Sequence, residues 1–300
     1  TSWNFVASPL LGIREGRPLA ERVNEYAQLW AGLSLRQQEL EEANNVAVAE
    51  LYGLDHEVQT AAHLEQVTLT RNAAFRYAGR PEGERSVLFR QDAMKDLVSF
   101  AVGCMFGRYS LDKPGLILAG QGESVEDYLA KVSSPIFAPD ADNVIPIVDG
   151  DWFEDDILGR FRRFLRAAFG EEYFEENLRF VTDALGVRNL RDYFVRSFYK
   201  DHVQRYKKRP IYWLFSSPNG SFNALIYMHR YTPSTVSTVL NEYLREFQAK
   251  LRASLEHAER SNSAKEADRL RRVLLDLDEY EHDTLYPLAS RNIAIDLDDG

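Results

Sequence analysis

The 300-residue chain contains a single cysteine, Cys104, so it can form no internal disulfide and no zinc site built from several cysteines. A lone thiol is typical of proteins in a reducing compartment, and it predicts a cytoplasmic location. The chain also lacks an uninterrupted apolar run of the ~20 residues that a helix needs to cross a bilayer. Its longest candidate, Leu97 to Phe106, is about half that length. We therefore predict no membrane segment and no membrane partner.

A secretory signal is missing as well. The first residues, Thr1 to Phe5, contain no basic stretch followed by an apolar one, which such a signal requires. This segment is also not typical of a natural start, and we expect the chain to be a fragment of a longer protein.

Motifs of the common enzyme chemistries are also missing. The sequence has no P-loop, no G-x-G-x-x-G and no G-x-S-x-G, which argues against a phosphate-cradling loop and against an exposed serine nucleophile. Its six histidines are scattered, and no pair has the i, i+4 spacing of a helical zinc site. Asp149, Asp151 and Glu154 resemble a calcium loop, but their spacing favours a helix N-terminus, where acidic residues interact well with the helix dipole. We predict no catalytic residue, no metal site and no bound cofactor for this chain.

What the sequence does contain is the composition of a folded protein. Hydrophobic residues make up 45% and charged residues 27%, with only 17 glycines and 11 prolines, which excludes a disordered or fibrous chain. We predict a predominantly helical α+β fold. It divides into a spacer-helix region (1–53), a mixed α/β core region (54–186), and a region with a basic helix, a β-hairpin and a C-terminal helical hairpin (187–300).

The most regular pattern predicts one long helix from Pro18 to Leu51, about 50 Å in length and ended by Gly53. Its apolar positions alternate by four and three, which is the spacing of a helix that packs along a seam. The seam positions are Leu19, Val23, Tyr26, Trp30, Leu33, Gln37, Leu40, Asn44, Ala47 and Leu51. The polar Gln37 and Asn44 are of the kind that set register between paired helices.

Other segments show strand or helix patterns. Short strands are predicted at Val67–Thr70 and within Asn143–Val148. The best hairpin joins Ile211–Phe215 to Phe222–Met228 through Ser216–Ser221. Helical spacing over 236–257 and 264–285, with a short polar connection, predicts an antiparallel pair of helices.

Charge is distributed unevenly along the chain. The formal net charge of −10 argues against a nucleic-acid partner, because phosphate contacts require lysine and arginine. From 188 to 213, however, eight basic residues and only two acidic ones give +6 in 26 residues, which leaves −16 for the rest. The basic residues are Arg188, Arg191, Arg196, Lys200, Arg205, Lys207, Lys208 and Arg209. Such a dipolar chain can turn one face toward DNA while the opposite face is repelled.

The basic segment is interleaved with aromatic residues, which suggests contacts with double-stranded DNA. We predict phosphate contacts from Arg196, Lys200, Arg205, Lys207, Lys208 and Arg209. The aromatic residues Tyr206, Tyr212 and Trp213 could stack on nucleic acid or belong to the core, as aromatic residues near strands usually do. The cations could likewise be an ordinary solvated helix end, and a second basic group, Arg160 to Arg166, could be paired with its acidic neighbours. Candidate base-reading residues are Arg108, Lys113, Asn219 in the loop Ser216–Ser221, His229 and Arg230.

Several phrases together resemble the C-terminal part of the PglX family, the adenine-specific DNA methyltransferases of BREX phage-defence systems. They are ELYGL at 50–54, MKDL at 94–97, AVGCMFGRYSLDKPG at 101–115, YKDH at 199–202, KRPIYWLFSS at 208–217, YMHRY at 227–231 and IDLDDG at 295–300. The resemblance implies that the intact protein transfers a methyl group from S-adenosylmethionine to adenine, and that other BREX components are its partners. This chain has neither an Asn-Pro-Pro-Tyr motif for a flipped adenine nor a glycine-rich cofactor loop, so the resemblance places the catalytic domain upstream of Thr1.

Two functions are consistent with these features. In the first, the chain docks and orients the methyltransferase on duplex DNA and is not catalytic alone. In the second, its acidic surface and long helices form a protein-interaction scaffold for other BREX components. An independent nuclease is disfavoured, since paired carboxylates followed by a lysine are absent from the predicted strands.

Overall fold

The computed structural model describes residues 5–12, 16–54 and 56–295, and the acidic run Asp296–Asp299 lies outside them. The helices are α1 Leu19–Tyr52, α2 Ala73–Arg76, α3 Glu82–Met105, α4 Val125–Lys131, α5 Ile157–Phe169, α6 Phe174–Leu185, α7 Leu190–Tyr193, α8 Tyr199–Arg205, α9 Thr235–Thr238, α10 Arg245–Arg260, α11 Ala264–Tyr280 and α12 Tyr286–Arg291. The strands are β1 Val144–Pro146, β2 Tyr212–Ser216 and β3 Asn223–Tyr227. The predicted α+β class with a predominance of helix is confirmed.

Among the described residues, three π-helical stretches connect helices into longer rods. Phe194–Phe198 joins α7 to α8, Val239–Leu244 joins α9 to α10, and Glu281–Leu285 joins α11 to α12. Such stretches insert an extra residue in a helical turn and occur often near functional sites. In the part of the chain that is described, no helix is long and apolar enough to cross a membrane.

The chain forms two compact units that do not follow chain order. The first comprises Thr1–Ala7, Val98–Ala168 and Val187–Gly300, and the second comprises Ser8–Leu97 and Phe169–Gly186. The division into three consecutive regions stays a prediction.

Helix α1, in the second unit, has close to its predicted extent. It ends at Gly53, whose φ of 66° is the left-handed conformation that glycine adopts easily, and the Gly53 N–H caps the carbonyls of Ala49 and Glu50. Only the first turns of the seam are covered: Leu19, Val23 and Tyr26 are buried. From Leu33 onward the seam residues are exposed, except for the half-buried Gln37.

The predicted strand at Val67–Thr70 is wrong. The segment instead follows a short 3-10 turn, Leu64–Gln66, and runs irregularly into α2. The side-chain amide of Asn72 donates hydrogen bonds to the carbonyls of Leu64 and Val67 at 2.7 and 2.8 Å. These carbonyls are therefore satisfied locally and need no neighbouring strand.

A three-stranded antiparallel sheet with the order β1-β3-β2 forms the centre of the first unit. The hairpin of β2 and β3 is the predicted one, and every residue of the central strand β3 is buried. Helices α10 and α11 form the predicted antiparallel pair, and their inner faces pack in one hydrophobic cluster with the sheet. The cluster includes Ala224, Ile226, Phe247, Leu251, Leu270 and Leu277.

The hairpin turn is held by a buried carboxylate of α11. Asp276 accepts hydrogen bonds from the Ser217 hydroxyl at 2.6 Å and from both the backbone N–H and the side-chain amide of Asn219 at 3.0 Å. These donors hold the pKa of Asp276 below its usual value despite burial, which acts in the opposite direction. The loop Ser216–Ser221 is thus fixed to the helical hairpin.

Candidate nucleic-acid interface

The basic segment is built on the helical rod formed by α7, its π-helical extension and α8. Asn189 caps the rod by accepting a hydrogen bond from the Asp192 N–H at 2.9 Å. The inner face is apolar and aromatic, with Tyr193, Phe194 and Phe198 buried. This packing fixes the rod and determines which side chains face solvent.

The outer face of the rod carries cations. Arg196, Lys200 and Gln204 recur every fourth residue and are all exposed. After α8 ends, Lys207, Lys208 and Arg209 are exposed as well. We call Arg196, Lys200, Lys207, Lys208 and Arg209 the open basic surface, because none of them has an ion-pair partner among the described residues. Arg205, also predicted as a DNA contact, is half-buried.

Two lysines of this surface have an unusual backbone conformation. Lys207 and Lys208 have φ angles of +50° and +67°, so both lie in the left-handed region that side chains with a Cβ disfavour by about 1–2 kcal/mol each. The Lys208 N–H bonds to the Val203 carbonyl at 2.9 Å, which ends the helix and turns the chain toward β2. Cations thus occupy two adjacent positions where glycine or asparagine would be the favourable choice.

The aromatic residues of the segment divide between core and surface. Tyr212 is fully buried and stacks on Phe106 at 5.3 Å between ring centroids, whereas Tyr206 is half-buried. Trp213 is 41% exposed on β2, an edge strand of the sheet. Of the two roles considered for these aromatic residues, Tyr212 therefore has the core role. Trp213 is the most exposed of the three and is available to a partner.

Beneath the open basic surface lies a neutral histidine. His202 is buried, and its Nε2 accepts a hydrogen bond from the Tyr212 N–H at 3.2 Å. Burial and, to a smaller extent, the nearby cations Arg205 and Arg108 lower the pKa of His202 to about 3. The imidazole is therefore uncharged at neutral pH and contributes nothing to the positive field outside.

Arg108 belongs to the same polar cluster beneath the surface. Its Nη1 donates to the Tyr227 hydroxyl at 2.8 Å, and that hydroxyl donates to the Leu118 carbonyl at 2.8 Å. The guanidinium also lies over the rings of Tyr109 and Tyr227, at 5.7 and 6.0 Å from their centroids. These contacts give Arg108 a structural role, and a base-reading role for it stays a prediction.

Three more candidate base readers have hydrogen-bond or ring partners within the chain. Arg230 is 6% exposed and donates to the carbonyls of Asp140 and Ala141 at 2.9 and 3.0 Å. His229 is half-buried and stacks on Tyr227 at 4.8 Å, and burial is the main cause that lowers its pKa. The Asn219 amide is bound by Asp276. Only Lys113 among the predicted base readers is exposed without a side-chain partner in the described part of the chain, and base reading by any of these residues stays a prediction.

The second basic group and the start of the rod carry paired cations. Arg160 of α5 forms an ion pair with Asp140. Arg191 of α7 forms ion pairs with Asp151 and Asp156, and the other Asp156 oxygen accepts from the Gly159 N–H at 2.6 Å at the start of α5. The acidic residues between 149 and 156 therefore cap the N-terminus of α5 and form ion pairs with Arg191. No group of metal-ligating side chains occurs among the described residues.

Sequence reasoning missed two residues of this region. Gln204 completes the exposed row with Arg196 and Lys200, and its i+4 spacing was the available signal. Asp276, which holds the hairpin turn, lies 57 residues from Asn219 in sequence, and no local pattern points to it.

No protein-family model matches the chain. The whole chain is 33% identical, over 326 aligned positions, to the adenine-specific methyltransferase BrxX of Escherichia coli O9:H4 (strain HS). Over 281 positions, 87% of the chain is 34% identical to the adenine-specific methyltransferase PglX of Lacticaseibacillus casei (strain Zhang). The chain spans 27% of the length of the first relative and 21% of the second. The chain is therefore homologous to a segment of the adenine-specific methyltransferases BrxX and PglX.

Proposed function

We propose that this chain is the C-terminal DNA-docking part of an adenine-specific DNA methyltransferase of a BREX phage-defence system, and that it acts in the cytoplasm. The observation that carries the proposal is the open basic surface, where five exposed cations have no ion-pair partner among the described residues. The longer protein to which this chain belongs would methylate adenine, while this part holds and orients the enzyme on duplex DNA.

The physics of the surface favours phosphates as its ligands. A cation without a neighbouring carboxylate is available to a phosphate, and each phosphate contact releases condensed counterions from DNA. Lysine acts as a point charge on a flexible stem, which suits backbone contacts that carry no base information. The strained conformation of Lys207 and Lys208 supports a functional reason for lysine at these positions. The net −16 of the remaining chain would repel DNA elsewhere and favour one orientation.

S-adenosylmethionine does not fit the residues present. Nucleotide-type cofactors bind beyond the carboxyl ends of parallel strands at a glycine-rich turn. The strands of the described residues are all antiparallel, and no glycine-rich loop follows any of them. We assign cofactor binding and methyl transfer to the part of the longer protein that this chain does not span.

The test is the salt dependence of DNA binding by the 300-residue chain. Lys207→Ala with Lys208→Ala should weaken binding to duplexes of every sequence. It should also lower the slope of log affinity against log salt by about 0.9 for each phosphate that the variant no longer neutralises. Unchanged affinity and salt slope in the double variant would contradict the proposal. So would a failure of the unmutated 300-residue chain to bind any duplex.

A matched control is available on α11. Lys265→Ala with Arg272→Ala removes the same charge from two exposed cations that have no ion-pair partner in the described part of the chain. This pair should leave affinity and salt slope close to those of the parent chain. An equal loss in both pairs would indicate an effect of total charge and would count against a local surface.

A second candidate function is a scaffold for other BREX components. The observation that favours it is the exposed apolar half of α1, where Leu33, Leu40 and Leu51 face solvent. Pull-down of purified BREX proteins by the chain, with a Leu40→Glu variant as control, tests it. Capture that this variant abolishes, together with absent DNA binding, would replace docking on DNA with this function.

A further inference from the structure

The second half of helix α1 carries a heptad seam that is exposed except at the half-buried Trp30 and Gln37. Counting Gln37 and Asn44 as positions a, the a positions from Trp30 are Trp30, Gln37, Asn44 and Leu51, and the d positions are Leu33, Leu40 and Ala47. Leu33, Leu40 and Leu51 are 44%, 49% and 80% exposed, and Asn44 and Ala47 are also exposed. The seam spans three heptads, about 33 Å of helix.

The opposite face of the same helix is already covered by the chain itself. Gln38 and Asn45, both at b positions, donate to the carbonyls of Ala62 and Thr60 at 2.6 and 3.2 Å. Glu42, at an f position, accepts from the Ala62 N–H at 3.2 Å. The segment that returns after α1 therefore lies on the polar face and leaves the a and d positions open.

We propose that this seam pairs with the seam of a second copy of the chain as a parallel, two-stranded coiled coil. An asparagine at an a position specifies the register of two parallel helices, because Asn44 then faces Asn44 of the other copy, and leucine occupies two of the three d positions. The flanking g and e positions are consistent with a parallel pair. In a parallel pair, a g residue meets the e residue five positions later on the other helix, which sets Arg36 opposite Glu41 and Ala43 opposite Val48.

The contacts that Arg36 and Glu41 make within the chain are weak enough to be replaced by contacts between the two copies. Arg36 is paired with Glu39 at 2.8 Å, but both side chains are about two-thirds exposed. The Glu41 carboxylate accepts from Gln37 at 3.0 Å. Exposed pairs of this kind are worth ~1 kcal/mol or less, so they can rearrange when two helices meet.

Sedimentation equilibrium of the 300-residue chain tests the pairing. The chain should form dimers, Leu40→Glu at a d position should give monomers, and Val46→Glu at the outward c position should still dimerise. Circular dichroism should show unchanged helix content for both variants, because Leu40 and Val46 are 49% and 42% exposed and neither belongs to the buried core. A parent chain that is monomeric at every concentration, or a dimer that Leu40→Glu leaves intact, would overturn the proposal. The monomer result would leave the seam to a different partner, such as the rest of a longer protein.

Cross-linking tests the register. The single native cysteine, Cys104, is buried, so an introduced thiol can be followed alone. Under oxidation Asn44→Cys should form a covalent dimer and Val46→Cys should not. Equal cross-linking at both positions, or none at position 44, would overturn the parallel arrangement.

Charge reversal and removal of the polar layer test specificity. Arg36→Glu should weaken the dimer, and Arg36→Glu with Glu41→Arg should restore it. Asn44→Val should tighten association by about tenfold, since a buried asparagine lowers the stability of the pair in exchange for register. Failure of the double variant to recover would contradict the predicted g–e contact.

Discussion

Two groups of cations in the first unit differ in what surrounds them, although they are close in sequence. Arg160, Arg191 and Arg230 are bound by carboxylates or backbone carbonyls inside the fold. The open basic surface carries cations without such partners among the described residues, and its first member, Arg196, lies only five residues after Arg191. The difference shows that a run of positive charge in a sequence does not by itself define a surface for nucleic acid, because the partners available in space decide which cations are free.

The largest expected difference between the two groups of cations is in stability, and it is tested by removing an internal arginine. Arg230→Met should lower the free energy of unfolding by about 3 kcal/mol, because the buried carbonyls of Asp140 and Ala141 lose charged donors. The exposed Arg196→Met should change it by less than about 0.5 kcal/mol. Urea unfolding of both variants measures the contrast, and similar losses in the two would mean that the groups do not differ.

A second prediction uses pH, because His202 is a potential cation that the fold keeps neutral. Its folded pKa of about 3 lies below the ordinary value of 6.5, so between these values only the unfolded chain takes up the proton. Stability should therefore fall as pH falls through this window, by about 2 kcal/mol at pH 5 from this residue. His202→Gln keeps an acceptor for the Tyr212 N–H but cannot titrate, and its unfolding free energy should depend less on pH.

The exposed His257 provides the control for this experiment. His257→Gln should keep the pH dependence of the parent chain. If His202→Gln shows the same slope between pH 6.5 and pH 4 as the parent, the imidazole is not held neutral by burial.

The sequence predicted the elements that periodicity controls and missed those that depend on single side chains. Helix α1 and its end at Gly53 followed from regular spacing and one glycine, and the hairpin followed from two apolar runs around a Pro-Asn-Gly turn. The burial of Arg230 and the binding of the Asn219 amide by Asp276 could not be predicted, because partners distant in sequence determine both. The same limit applies to the candidate interface: the pattern located the cations, but only the packing separates paired from unpaired ones.

A third prediction separates charge from backbone in the open basic surface. Lys207→Gly with Lys208→Gly should raise the free energy of unfolding by about 0.5 kcal/mol, since relief of positive φ exceeds the added freedom of the unfolded chain. DNA affinity should fall as it does for the alanine pair, which keeps the backbone strain. Denaturation and salt titration on both pairs measure this, and an equal stability change in the two would remove the argument from strain.

The smallest expected effect concerns Lys113, an exposed cation outside the open basic surface. Its neighbour Asp112 is held in place by the Ile136 N–H at 3.1 Å and the Ser110 hydroxyl at 3.2 Å, so a fixed negative charge lies beside the lysine. Because this carboxylate offsets the field of Lys113, Lys113→Ala should change DNA affinity by less than about twofold and leave the salt slope nearly unchanged. The single variant Lys207→Ala is the reference in the same titration. A loss with Lys113→Ala as large as that of Lys207→Ala would extend the interface to the loop at 110–115 and would show that a neighbouring carboxylate does not exclude a cation from binding DNA.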